Sequence, residues 1–149
     1  MNLLLVRHGD ASDSENGDKI LSPLGHQQIT RTACAISEHM DFRLDNVYHS
    51  GKTRARQTAE ILAHILKSEN EIIAATGLSP LDSPSIWAER LKALDTNIAL
   101  VGHMPYMSKM AAYLTREPFP YQFYTATIVH LVRNSENLWT INSISSPVD

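Results

Sequence analysis

The sequence predicts an α/β fold of three layers, with helices on both faces of a mostly parallel sheet that also carries an antiparallel strand. Three observations carry this. Residues 3–6 and 98–101 are unbroken apolar runs, as in strands covered on both faces. Strand-like and helix-like patterns alternate along most of the chain. Two β-rich runs, 125–132 and 138–144, close it as a hairpin, leaving a sheet edge for an antiparallel strand while the parallel strands take right-handed helical crossovers. No repeat, heptad, low-complexity tract or linker interrupts the pattern. A chain of 149 residues can bury roughly two-thirds of its unfolded surface, so one domain over 1–149 is expected.

The first run, Leu3, Leu4, Leu5 and Val6, ends abruptly in Arg7, His8 and Gly9. Reactive side chains of open α/β sheets gather at the carboxyl edge, which puts Arg7 and His8 at the lip of a crevice. Gly9 lets the chain turn sharply and a ligand approach the backbone. Residues 12–18 are polar, acidic and without period; they read as a loop, either the rim of a site or a connector. Ser22 is the expected cap of a helix with Pro23 at its first position. Ile29, Ala33, Ile36 and Met40 would lie on its buried face, with His26, Gln27, Gln28 and Arg31 opposite. Cys34 is expected as a small buried residue of that helix.

Residues 45–50 read as a short strand that Gly51 stops. A second helix from Thr53 gathers Ala55, Thr58, Ala59, Leu62 and Leu66 on one side and leaves Arg54, Arg56 and Glu60 elsewhere. Residues 71–75 suggest another strand, and Pro80, Asp82, Ser83 and Pro84 mark a loop. Ser85 is the expected cap of a short helix holding Trp87, Leu91 and Leu94. Residues 97–103 repeat the opening design, an apolar run ending in Gly102 and His103. From Pro105 a helix spaces Met107, Met110, Ala111 and Leu114 for burial. The breaker at 117–120 follows, and Phe119, Tyr121, Phe123 and Tyr124 read as packing at the base of the hairpin.

A net charge of −3 and 19% charged residues lack the basic excess of a nucleic-acid binder, so any positive field must be local. The apolar start is too short for a signal peptide or a membrane span, and the one cysteine permits no internal disulfide. A cytoplasmic protein without membrane or nucleic-acid partners is expected. No histidine, cysteine or carboxylate pattern has metal-ligand spacing, so catalysis without metal or other cofactor is expected. His26, His39 and His64 read as surface or boundary residues. Strand alternation turns His49 away from the face its neighbour Ser50 presents.

Arg7, His8, Arg54 and His103 all follow predicted strand ends. If those strands are parallel neighbours, two arginines and two imidazoles meet in a pocket for a dianion. The planar arginine fork matches phosphate oxygens, and the helix starts near Thr53 and Pro105 would add N–H donors. His8 supplies a nucleophile for phosphorus, provided that a backbone carbonyl accepts from its other N–H and fixes the tautomer. Arg7, Arg54 and His103 would stabilise the equatorial oxygens, with His103 cationic beside the dianion.

Arg7-His8-Gly9, Ser50-x-x-x-Arg54-Ala55-x-x-Thr58 and Gly102-His103 resemble the three blocks of the histidine phosphatase superfamily, whose fold is phosphoglycerate-mutase-like. The short length, Arg7-His8-Gly9-Asp10-Ala11, Leu21-Ser22-x-x-Gly25, Leu78-Ser79-Pro80 and Gly102-His103-Met104-Pro105 are similar to its SixA-type phosphohistidine phosphatases. The resemblance implies His8 as the phosphorylated nucleophile, Arg7 and Arg54 as phosphate clamps with Gly9 beside them, and His103 as the second catalytic histidine. The second block departs from the pattern: Gly51 and Lys52 follow Ser50 where proline is usual after the serine. Larger members also supply a glutamate as general acid, and this sequence has no clear equivalent. Asp82 is the first candidate, or a turn former; Asp10 would serve water or brace the loop. A missing acid suits phosphohistidine, whose leaving imidazole can already carry a proton. The implied substrate is a phosphorylated protein, a phosphorelay or phosphotransfer component. The alternatives are a phosphatase of small esters or anhydrides and a catalytically weak phosphoprotein-binding module.

Overall fold

In a computed structural model, which describes residues 1–148, the chain runs β1 (Asn2–Arg7), β2 (Ala11–Asp13), β3 (Lys19–Leu21), α1 (Pro23–Ser37), β4 (Asn46–His49) and α2 (Thr53–Leu66). It continues through β5 (Ile73–Ala74), α3 (Pro84–Lys92), β6 (Ile98–Gly102), α4 (Tyr106–Thr115), β7 (Ile128–Arg133) and β8 (Trp139–Ser145). Six strands form one sheet in the order β5-β4-β6-β1-β7-β8. β5, β4, β6 and β1 are mutually parallel, and β7 and β8 add the antiparallel hairpin.

Strand alternation divides the core in two. Leu3, Leu5, Ile98, Leu100, Val129 and Leu131 point to one face, where Trp87 and Leu91 of α3 and Met107 and Met110 of α4 cover them. Leu4, Val6, Val47, Ala99, Val101 and Ile128 point to the other, against Ile29, Ala33 and Ile36 of α1 and Ala55, Ala59 and Leu62 of α2. Burial of each such large side chain contributes about 1.5–3 kcal/mol, which is why unbroken apolar runs mark the central strands. Among the described residues no helix is long and apolar enough to cross a membrane.

Register sets the functional edge. Arg7 of β1 lies opposite Gly102 of β6, and His49 of β4 lies opposite Val101. The next residues, His8, His103 and Ser50, therefore leave three adjacent strands at nearly one level, with β6 in the middle.

Several expectations are corrected. Of the segment read as a loop at 12–18, Ser12 and Asp13 belong to β2 and the rest is the turn of a β2–β3 hairpin, in which Ala11 pairs with Leu21 and Asp13 with Lys19; its three-residue arms are too short for periodicity to register. Cys34 is exposed rather than buried, because Ala33 and Ile36 occupy the inward positions of α1. Ser83, not Ser85, caps α3, accepting from the Ser85 N–H. The strand expected at 71–75 keeps two residues, both exposed. Met40 and Leu94 lie past the ends of their helices and pack from there. Of the four aromatics at 119–124, Phe119 and Phe123 pack inward, whereas Tyr121 and Tyr124 are exposed.

Candidate active site

The loop leaving β1 is held from three sides. The His8 N–H donates to the Gly102 carbonyl at 2.9 Å, so the loop stays bound to β6 for one residue past the strand. The Gly9 N–H donates to Thr58 Oγ1 (3.1 Å), whose hydroxyl donates to the Arg54 carbonyl (2.8 Å). Gly9 also passes the start of α1 so closely that a Cβ on it would sit 2.8 Å from the Gly25 carbonyl, and a Cβ on Gly25 would overlap the Asp10 carbonyl. The two glycines are needed for this contact between backbones, not for flexibility.

Asp10 is a brace. Its Oδ2 accepts from the Ser22 hydroxyl (2.6 Å), and its carbonyl accepts from the Ser22 N–H (2.9 Å). Its N–H donates to Gln28 Oε1 (2.9 Å), which also takes the Thr125 hydroxyl (2.9 Å). Asp82 forms a turn, with its Oδ2 accepting from the Ser79 N–H at 2.9 Å. Asp82 and Ser50 both line a depression of about 560 Å³ that continues over Thr76, Gly77 and Ile86.

The two imidazoles stand with ring centroids 5.0 Å apart, tilted by 57°. His8 Nδ1 lies 2.7 Å from its neighbour's carbonyl, Gly9 O. A carbonyl only accepts, so Nδ1 carries the hydrogen and Nε2 keeps its lone pair. Burial, with the charges of Arg54, Arg7 and Lys19, outweighs that bond and pushes His8 down to about 4. His103 is 2% exposed, and burial, His8, Arg54, Lys52 and Arg7 push it down to about 3. Its expected cationic state is therefore not one the protein groups support; they hold it neutral, and a proton there would have to come with the anion.

Arg7 is partly buried and anchored by Nη1 on the Phe123 carbonyl (2.8 Å), while its buried Nε has no partner among the described residues. Burial lowers its pKa, as loss of hydration must for a cation. Arg54 stands in the first turn of α2, and its charge acts on both histidines. Before it, Gly51 turns the chain at φ +92°, a conformation closed to most residues. The helix expected from Pro105 begins at Tyr106, with Pro105 as its cap.

Residues outside the expected site complete it: Ser50, whose Oγ is 2.7 Å from His103 Nε2, and Thr58, Gln28 and Gly25. Thr58 was legible as the i+4 neighbour of Arg54; the long-range bonds of Gln28 have no local signature. The remaining histidines stay apart. His49 accepts the Gly51 N–H at Nδ1 (3.1 Å), and His130 is held between Asn2 and Asn142. His26, His39 and His64 are exposed.

Residues 3–81 match the family model of the histidine phosphatase superfamily (branch 1). The chain belongs to this superfamily. Among relatives of this histidine phosphatase family member, a phosphohistidine phosphatase SixA homolog of Haemophilus influenzae is 26% identical, over 99% of this chain and 98% of its own. An uncharacterised protein of Picosynechococcus is 33% identical over 74% of this chain and 71% of its own. The solved structure of the protein histidine phosphatase SixA complexed with tungstate superposes with a TM-score of 0.88 at 23% identity, covering 99% of this chain and 97% of that one. The mostly parallel α/β fold with its antiparallel hairpin is thus the phosphoglycerate-mutase-like fold expected of the family.

The depressed histidines make stability depend on pH. Between the ordinary value near 6.5 and their native values, the unfolded chain binds protons that the native chain does not. Stability therefore falls as pH drops through that window, by about 1.4 kcal/mol per pH unit for His103. Thermal denaturation between pH 7 and 4.5 checks this: His103→Gln is expected to flatten the fall, and equal falls in variant and wild type would contradict it.

Proposed function

We propose that this protein is a phosphatase that removes phosphate from phosphohistidine in another protein, through a phosphohistidine formed on its own His8. The observation that carries the reading is the 2.7 Å bond from His8 Nδ1 to Gly9 O on a ring held near pKa 4. It leaves Nε2 unprotonated at neutral pH, among cations that attract a phosphoryl group. In the first step the Nε2 lone pair forms the N–P bond in line while the bond to the substrate imidazole breaks, its electron pair leaving with that ring. A substrate ring protonated on its other nitrogen departs as neutral imidazole and needs no proton from the enzyme. In the second step water attacks phosphorus, the pair of the N–P bond returns to Nε2, and the water proton leaves with inorganic phosphate. Arg7 and Arg54 would grip the equatorial oxygens with Gly9 beside them, and His103 would add a further donor.

The SixA names of the relatives support the substrate class. The chemistry of Asp10 and Asp82 agrees, since both carboxylates hold backbone or hydroxyl groups of the scaffold. We take 1–149 as one histidine phosphatase domain acting in the cytoplasm on a phosphorelay or phosphotransfer protein. Comparing kcat/KM for a phosphohistidine-bearing domain with that for sugar phosphates tests the assignment. Preference for the protein by at least about tenfold is expected, a difference of about 1.4 kcal/mol in transition-state stabilisation; preference for sugar phosphates would overturn it. One observation favours small esters as the second reading: Asp82 lines the depression that begins at Ser50. If Asp82 is a general acid, Asp82→Asn will lower ester turnover far more than phosphohistidine turnover. Activity in a chelator is expected to be undiminished, and its loss would reveal a metal requirement.

A further inference from the structure

Ser50 lies outside the set that grips phosphate, yet its hydroxyl is the hydrogen-bond partner of His103. The Oγ to Nε2 distance is 2.7 Å, short enough that one atom donates and the other accepts. The other ring nitrogen, Nδ1, is buried and has no partner among the described residues. With Nε2 engaged by Ser50, Nδ1 is the ring's one polar atom without a partner among the described residues, and an unpartnered buried nitrogen calls for an explanation.

The direction of the Ser50 bond decides what Nδ1 can offer. Burial above all, and then His8, Arg54, Lys52 and Arg7, disfavour a charge on His103, so the ring of the uncomplexed protein has one N–H and one lone pair. If Nε2 donates to Ser50, Nδ1 presents a lone pair, which a phosphoryl oxygen repels. If the Ser50 hydroxyl donates to Nε2, Nδ1 carries the hydrogen and can donate to that oxygen. The Lys52 N–H donates to Ser50 Oγ at 3.4 Å, and among the described residues the hydroxyl hydrogen has no acceptor other than His103 Nε2, which favours turning it toward the ring.

We propose that Ser50 fixes His103 as the Nδ1–H tautomer, so that His103 Nδ1 donates a hydrogen bond to the phosphoryl group. Ser50 is thus a positioning residue acting through His103. The ligand half of this inference rests on the phosphatase reading; the tautomer half does not.

Ring 15N and 1H correlation NMR of the uncomplexed protein at pH 7 tests the tautomer without any substrate. The expected spectrum shows His103 Nδ1 protonated and Nε2 bare, a pattern lost in Ser50→Ala and restored in Ser50→Thr. Tungstate added to the wild type is expected to shift the Nδ1 proton. Ser50→Ala is expected to lose about tenfold in kcat/KM, the worth of one neutral hydrogen bond. A wild-type spectrum with Nε2 protonated, the same tautomer persisting in Ser50→Ala, or a Ser50→Ala kcat/KM equal to wild type would overturn the proposal. If the tautomer is as stated but tungstate leaves Nδ1 unmoved, the phosphoryl donation is refuted while Ser50's control of the ring stands.

Discussion

His8→Ala is expected to lower kcat/KM for a phosphohistidine-bearing protein by at least about 10⁴-fold, the scale on which loss of a covalent nucleophile is felt. Tungstate affinity should fall far less. Arg7 remains anchored on the Phe123 carbonyl and Arg54 remains in the first turn of α2, so the positive lining survives without the ring. His103 cannot take over, since its Nε2 is engaged by Ser50 and its Nδ1 carries the hydrogen in the proposed tautomer. Steady-state kinetics beside calorimetric titration with tungstate reads both effects. A variant that keeps near wild-type turnover would remove His8 from the chemistry. A wild type and variant that both bind tungstate but hydrolyse nothing would instead favour a binding module.

Gly25→Ala is expected to destabilise the fold by at least about 3 kcal/mol, the upper range for overpacking, and to lower Tm by about 10 °C. The added Cβ would overlap the backbone carbonyl of Asp10, which cannot swing aside as a side chain would. Relief requires the Asp10 segment to draw away from α1, breaking its bonds to Ser22 and Gln28. Those bonds hold the loop that carries His8 and Gly9, so activity should fall even at temperatures where the variant remains folded. Differential scanning calorimetry and kinetics at 20 °C check the two effects. A loss under about 1 kcal/mol would mean that the backbone contact yields easily.

The sheet was legible because its central strands are covered on both faces. Leu3, Leu4, Leu5 and Val6 form an unbroken apolar run, and the same holds for Ala99, Leu100 and Val101. The buried face of α2 followed from helical period alone: Ala55, Thr58, Ala59, Leu62 and Leu66 are the residues that the structure buries. Shorter features escaped. The β2–β3 hairpin has three-residue arms, and β5 has two, below the length at which alternation carries information. Cys34 was misplaced because its apolar character says nothing about angle, and its position on α1 turns it outward.

At the site, the strand-end residues Arg7, His8 and His103 stand out in the sequence as polar groups after apolar runs. What they do depends on partners no local pattern encodes. The bond from His8 Nδ1 joins adjacent residues, yet it forms only because the Gly9 carbonyl faces the ring. Ser50 meets His103 because register sets β4 beside β6. The lowered pKa of His103 arises from burial and from four basic groups that two segments bring to it, His8 and Arg7 at the end of β1 and Arg54 and Lys52 at the start of α2.

The direct test of the central claim is to mix the enzyme with a protein labelled with 32P on histidine, quench within milliseconds under alkaline conditions, and map the label by peptide sequencing. The account predicts transient radioactivity on His8, attached at Nε2, forming and decaying fast enough to support turnover. Label on another residue, or release of phosphate with none passing through His8, would contradict it.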